Sequence, residues 1–230
     1  MRREAWAREM LDGPVPVSDL AATLDDIDRL NRWFGGHTLT LREMERVARR
    51  TPADRGLTVI DVGGGRGDFA RRVVRWSRAM ARPVRVVVVD RDEPSLRLGV
   101  DEVTGHPEIR RVCADATALP LREGAADVVT CSLLLHHLDP DAAVASLAEM
   151  SAASRDAVVV NDLWRTWWSW AVVWLTTRLF ARHRVSRHDG PLSVRRAYAP
   201  GELRTLAEKA RVPVRIVCHP FRARVTAVRP

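Results

Sequence analysis

The chain has 230 residues and a mass of 25.8 kDa, with 46% hydrophobic and 29% charged residues. These fractions exclude a disordered or collagen-like chain, and the length suits one domain, or one domain with a small appendage. The net charge of +8 points first to nucleic acid, yet Lys209 is the only lysine and residues 178–230 hold thirteen basic against three acidic side chains. The basic excess is therefore an arginine-biased composition concentrated in the last quarter of the chain. Cys113, Cys131 and Cys218 stand alone, with no CxxC or Cys/His cluster. That excludes a disulfide framework, fits a reducing compartment and predicts no metal site. The N-terminus lacks the apolar core of a signal peptide. The apolar run Trp167–Thr177 is too short to span a bilayer.

In chain order, Leu20, Leu24, Ile27 and Leu30 recur at helical spacing, so residues 18–30 read as a helix with Ser18 as its cap. Gly35–Gly36 breaks it, and a second helix spans roughly 38–50. The period then changes. Residues 57–62 form a short apolar strand that runs into a glycine turn and a helix over 68–80. Residues 84–90 are a β-branched strand of the doubly buried kind. A helix over 93–103, strands at 109–115 and 126–134, a helix over 140–152 and a strand at 156–162 follow. This alternation marks a parallel α/β sheet. A tryptophan-rich helix over 163–182, a polar loop through His183–Arg196, and a helix over 200–211 come next. The last strands, 212–218 and 223–229, are close enough for a hairpin. The expectation is a doubly wound, seven-stranded, mostly parallel α/β sheet with a C-terminal antiparallel hairpin. Residues 1–52 form an N-terminal helical lid and 53–230 the main domain, with a helical insertion at about 163–198.

The strongest local signal is Val59-Ile60-Asp61-Val62-Gly63-Gly64-Gly65-Arg66-Gly67-Asp68. A buried strand delivers glycines to a helix start, where a ligand can approach the main chain. Asp90 closes the second strand and is placed to accept ribose hydroxyls. An ordinary tight turn with a solvated Asp explains less, because strand, glycines, helix, strand and terminal acid come in order. A dinucleotide turn survives only in the form Gly65-Arg66-Gly67-Asp68-Phe69-Ala70.

The Asp-x-Gly-x-Gly-x-Gly form resembles motif I of class I S-adenosylmethionine-dependent methyltransferases. The resemblance continues through Asp90, through Ala114-Asp115-Ala116-Thr117-Ala118-Leu119-Pro120-Leu121, and through Asp127–Leu138 with its Leu135-His136-His137. It implies S-adenosyl-L-methionine (SAM) as cofactor. It also implies a cofactor site of Asp61, Gly63, Gly64, Gly65, Gly67, Asp90, Arg91, Asp115, Ala116 and Ser132. Within that family the chain is similar to the ubiquinone/menaquinone methyltransferase-like group and to small-molecule O-methyltransferases. Asn31–His37 stands at that group's cofactor-covering segment. Arg66 departs from its usual threonine, and His136-His137 from its Arg-Asn.

Methyl transfer needs an aligned nucleophile, exclusion of water and, for a phenol, a proton acceptor. His136 and His137 lie beyond the fourth strand, at the edge where α/β ligands sit, and are the candidate bases. The plainer reading is that they pack or cap the next helix. His37 and His188 are weaker candidates. Trp164, Trp167, Trp168, Trp174 and Leu175 share one helical face, which suits core packing, the roof of an aromatic pocket, or a membrane interface. Trp33, His37, Trp164, Trp167, Trp168 and His188 are the expected acceptor-binding residues. The expected activity is methylation of a small hydrophobic, aromatic or polyketide-like acceptor at oxygen. Alternatives are C-methylation of a quinol-like ring, a SAM binder without transfer activity, and a nucleic-acid-binding protein. The expected location is the cytoplasm, with peripheral membrane contact through the tryptophan helix and the basic segment.

Overall fold

The computed structural model describes residues 1–52, 54–102 and 105–229. Its centre is a seven-stranded sheet in the order β3–β2–β1–β4–β5–β7–β6. The strands are β1 (Leu57–Val62), β2 (Val84–Asp90), β3 (Ile109–Cys113), β4 (Ala126–Ser132), β5 (Ser154–Leu163), β6 (Arg215–His219) and β7 (Arg224–Arg229). β1 to β5 are parallel, and β7 runs antiparallel between β5 and β6. The chain winds outward from β1 to β3 on one side and from β4 on the other. That leaves a crevice at the carboxyl ends of β1 and β4, where open α/β sheets bind ligands.

The strands are runs of valine because both faces are covered. Val59, Val86, Val88, Val128 and Val159 face α2 (Gly36–Arg50) and α3 (Asp68–Ala79), against Met44, Val47, Phe69, Val73 and Val74. Ile60, Val62, Val129, Val158 and Val160 face the other way, toward α5 (Pro140–Ala153) and α8 (Pro200–Lys209). Period-two alternation thus sends neighbouring strand residues to different helical layers. The remaining helices are α1 (Val17–Trp33), α4 (Glu93–Glu102), α6 (Trp167–Phe180) and α7 (Arg184–Arg196).

Three local expectations change. Ser18 lies inside α1 and caps nothing; Pro16 precedes the helix instead. β5 continues to Leu163, so the tryptophan helix starts at Trp167, where the Thr166 side chain accepts from the Ser169 amide. The polar loop expected at His183–Arg196 is α7, despite Gly190 and Pro191. Tertiary contacts override its poor propensity. Gly190 meets α6 so closely that a Cβ there would stand 2.7 Å from Thr177, and Asp189 takes the amides of Met10 and Leu11.

α6 is inverted. Its buried positions are Ser169 and Thr177, whereas Trp167, Trp168, Trp174, Leu175 and Leu179 face solvent, with Trp167 69% exposed. Core packing is therefore overturned for Trp167, Trp168 and Trp174, and holds for Trp164, which precedes the helix. Trp170, off that face, is the one that packs beside Leu163, Val194 and Ala197.

Met150 on α5 is fully buried in the Ile60–Val129–Val160 layer. Met150→Ala is expected to lower the unfolding free energy by about 2–5 kcal/mol, the usual range for emptying such a site. Urea denaturation followed by circular dichroism checks this.

Candidate active site

The site begins where β1 ends. Gly63 (φ +69°) takes the left-handed conformation that turns the chain, and the amides of Gly63 and Gly64 both donate to Val89 O on β2. Gly64 is needed for space: a Cβ there would stand 2.7 Å from Asp61 Oδ2 and 2.8 Å from Val88. The Gly65 amide donates to Asp90 Oδ2 at 2.7 Å, and the Asp92 amide to Asp90 Oδ1 at 2.9 Å. Asp90 is thereby fixed at the carboxyl end of β2, with lone pairs left for a diol. Asp90 pairs in register with Cys113, and the Ala114 amide bonds Asp90 O. That brings Asp115 and Ala116 beside it. Asp115 stands exposed, its Oδ1 taken by the Thr117 amide and hydroxyl. Arg91 is exposed too.

Asp61 is buried beneath the turn. Burial pushes its carboxyl up to about 8, and Asp90 and Asp68 add to the push. Among the described residues no arginine or histidine pairs with it. The one cation in the turn, Arg66, is committed elsewhere, at 2.6 Å to Asp25 of α1 and 3.0 Å to Asp68 of α3. That pairing also draws α1 over the turn, with Leu24 beside Gly65. A buried, unpaired carboxylate next to a ribose-type acid fits a ligand that carries both fixed positive charge and a diol. SAM has both.

Beyond β4 the chain makes a second sharp turn. Leu133 has φ +56°, a left-handed leucine, and its amide bonds Asn161 O. Leu134 is thereby laid across Gly63, 2.9 Å from where a Cβ would stand. Ser132 Oγ lies 3.4 Å from Thr40 Oγ1 on α2. Asn161 on β5 donates to Thr40 Oγ1 at 3.0 Å and to Gly36 O at 2.7 Å. The residues before β1 are thus tied to the carboxyl ends of β4 and β5.

The same edge holds a guanidinium that sequence reasoning missed. Arg224 opens β7 opposite Leu163. It is 7% exposed and donates to Asn31 Oδ1. No carboxylate forms an ion pair with it among the described residues, and its Nη1 has no partner. Burial pushes it down to about 10, and Asp162 works against that push. Asn161 Oδ1 is likewise buried and unbonded. The only sequence signal was an Arg opening the strand Arg-Val-Thr-Ala-Val-Arg.

The histidine pair is assembled differently. His136 is 2% exposed; its Nδ1 lies 2.7 Å from Asp162 Oδ1 and its Nε2 faces Glu9. His137 Nδ1 lies 3.1 Å from Asp12, and its Nε2 also faces Glu9. Both Nδ1 edges are taken by carboxylates, and both Nε2 atoms face Glu9 at 3.9 Å. The expected acceptor residues do not converge on one pocket. Trp164 packs against the layer that contains Tyr198. Trp33 contacts Phe180 edge-on, and Trp167 and Trp168 face outward. His188 bonds Asp189. His37 is buried against Phe69 and pushed down to about 4 by burial.

Known proteins agree with this geometry. Residues 59–157 match the model of the methyltransferase domain family. The ubiquinone/menaquinone biosynthesis C-methyltransferase UbiE of Idiomarina loihiensis is 32% identical over 97 residues, covering 40% of this chain and 38% of that protein. Its counterpart from Caulobacter sp. is 31% identical over 106 residues, covering 44% and 42%. The chain thus spans about two fifths of the length of these relatives. A SAM-dependent methyltransferase from Aquifex aeolicus superposes with a TM-score of 0.57 at 17% identity, covering 80% of this chain and 87% of that one. The citrinin polyketide synthase CMeT domain gives 0.59 at 11% identity, covering 80% and 49%. Residues 59–157 are thus similar to the methyltransferase domain family, and the sheet as a whole shares the Rossmann-like fold of these methyltransferase structures.

Asp61 makes a pH prediction. Its native carboxyl titrates near 8, against 3.8 when free of the fold. The native state therefore holds an extra proton between those values, and this contribution to stability declines as pH rises through the window. Asp61→Asn keeps the shape without the charge. Its melting temperature, relative to the parent, is expected to climb from pH 5 to pH 8. A constant offset in calorimetric scans would contradict this.

Proposed function

We propose that the protein transfers a methyl group from SAM to an acidic oxygen of a small hydrophobic acceptor, such as a phenol, enol or carboxylate. One observation carries the reading: a buried carboxyl with no cation beside it, Asp61 near the end of β1, and a buried guanidinium with no carboxylate ion pair, Arg224 at the start of β7, stand at the same end of the sheet. Asp61 suits the cationic portion of SAM, Asp90 its ribose, Asp115 and Ala116 its adenine, with Gly63, Gly64, Gly65, Gly67, Arg91 and Ser132 lining the rest. SAM supplies a methyl group on a sulfonium, and the thioether that departs needs no acid.

The protein's own task is alignment and exclusion of water. α1 and α2 cover the turn and the carboxyl ends of β4 and β5. Arg224 stabilises the deprotonated acceptor, since a cation beside an acidic hydroxyl lowers its pKa. Proton removal is not assigned to His136 or His137, whose ring nitrogens face carboxylates. A second reading moves the methyl group to a quinol-like ring carbon; the C-methyltransferase similarity favours it, and product analysis separates the two.

We further propose that the outward stripe of α6 rests on a membrane surface, from which a hydrophobic acceptor reaches the site. Interfacial helices carry this stripe of Trp and Leu with flanking Arg. Nucleic acid is not part of the reading, and the cytoplasm is the expected location.

Asp90→Ala is expected to weaken S-adenosylhomocysteine binding at least several-fold in calorimetry, and unchanged affinity removes the cofactor assignment. Arg224→Gln should keep that affinity but lower kcat/KM on phenolic or carboxylate acceptors by about tenfold or more, the worth of one charge-assisted hydrogen bond. Its activity profile should move to higher pH, and Arg224→Lys should restore part of the loss. Trp167→Ser/Trp174→Ser should lose flotation with anionic vesicles and keep cofactor affinity.

A further inference from the structure

The N-terminal segment carries a buried acid to the histidine pair. Glu9 is 5% exposed, and its Oε1 accepts no hydrogen bond. His136 Nε2 lies 3.9 Å from Glu9 Oε1, and His137 Nε2 lies 3.9 Å from Glu9 Oε2. The two imidazoles are adjacent, with centroids 4.2 Å apart. These gaps are too long for hydrogen bonds. They suit donor atoms that share one ion at about 2.0–2.2 Å each.

The far edge of each ring supports the same reading. Asp162 accepts at His136 Nδ1 at 2.7 Å, and Asp12 at His137 Nδ1 at 3.1 Å. A carboxylate there keeps the proton on Nδ1 and leaves the Nε2 lone pair open, as in metal-bound histidines whose outer nitrogen is held by an acid. One competitor is present. Arg196 Nη1 stands 3.4 Å from Glu9 Oε1 and hydrogen-bonds Asp12. Its single charge faces two carboxylates, Glu9 and Asp12, so the cluster still has room for positive charge. Two imidazoles and one carboxylate suit zinc, cobalt or iron(II), and not magnesium or calcium, which take oxygen.

We propose that Glu9, His136 and His137 bind one divalent transition-metal ion, with Asp162 and Asp12 orienting the imidazoles. The ion pins the N-terminal segment to the turn that follows β4. This is independent of methyl transfer, because its test reads metal binding and stability.

The full chain, stripped with EDTA, is titrated with zinc chloride and cobalt chloride in separate calorimetric runs, with magnesium chloride as control. Zinc and cobalt should each bind one per chain and raise Tm, and magnesium should do neither. Glu9→Gln and His137→Ala should each weaken zinc binding at least about tenfold, while His106→Ala, remote from the cluster, leaves it unchanged. Glu9→Gln preserves the volume of a buried side chain, and His137 is partly exposed, so a fold defect in one variant leaves the other to decide. No stoichiometric binding to the parent, or parental affinity in a folded Glu9→Gln or His137→Ala, overturns the proposal.

Discussion

The hydrogen bond from the Gly65 amide to Asp90 is the constraint on which the rest of the site depends. It joins the carboxyl ends of β1 and β2, and it forms only because Gly63 turns left-handed and Gly64 carries no side chain. With the turn so fixed, Asp61 is held buried under it, with Asp90 and Asp68 near and no cation beside it among the described residues. A carboxyl there has two ways to avoid isolation: to keep its proton, or to meet a cation brought by a ligand. The first lets the ligand-free protein fold with a buried acid. The second couples binding of a cationic ligand to loss of that proton, because a cation at the turn lowers the carboxyl's pKa.

Arg224 is the mirror case across the sheet. A guanidinium does not shed its proton near neutral pH, so burial leaves it charged with one neutral partner, Asn31. Its neighbour Asp162 is occupied by His136 and by the Leu163 amide. The antiparallel turn into β7 matters for this reason. It places the first residue of the last strand at the carboxyl edge of β5, beside the site, where a parallel strand would place its last. The same edge orders the N-terminal residues: Asn31 accepts from Arg224, Gly36 O accepts from Asn161, and Glu9 faces both histidines at 3.9 Å. The helices before β1 are thus held by polar contacts to the reacting edge, and their loss would open it.

The strand alternation, the glycine turn, Asp90 and the closing hairpin were legible in the sequence because each is local. Valine runs, glycines at a strand end and an acid after the next strand speak within about thirty residues of one another. What was illegible depends on distance. α7 reads as a loop from its own residues, because Gly190 and Pro191 oppose a helix and only α6 and the N-terminal segment make it one. Glu9 lies more than a hundred residues from the histidines it faces. The tryptophan stripe was visible at the right spacing, but periodicity gives a face and not its direction. The direction is set from α7, where Gly190 lets Thr177 and Val173 of α6 approach closely.

The basic tail reads differently once its arginines are placed. Arg196 and Arg224 are buried. Arg195 pairs with Glu4, Arg215 with Glu43, Arg222 with Gly35 O, and Arg229 with Ser154. Several of the arginines that suggested nucleic acid are therefore paired with acids and carbonyl oxygens of the chain itself. Other arginines stand in a particular place: Arg178 lies over the Trp174 ring at 5.6 Å, and Arg182 is exposed just past Leu179 and Phe180. A groove for a polyanion needs charge spread along a surface. Charge gathered at one end of an outward apolar stripe instead matches a surface with an apolar interior and acidic headgroups. The inverted packing of α6 and the position of these arginines thus favour the same partner, on grounds that composition could not supply.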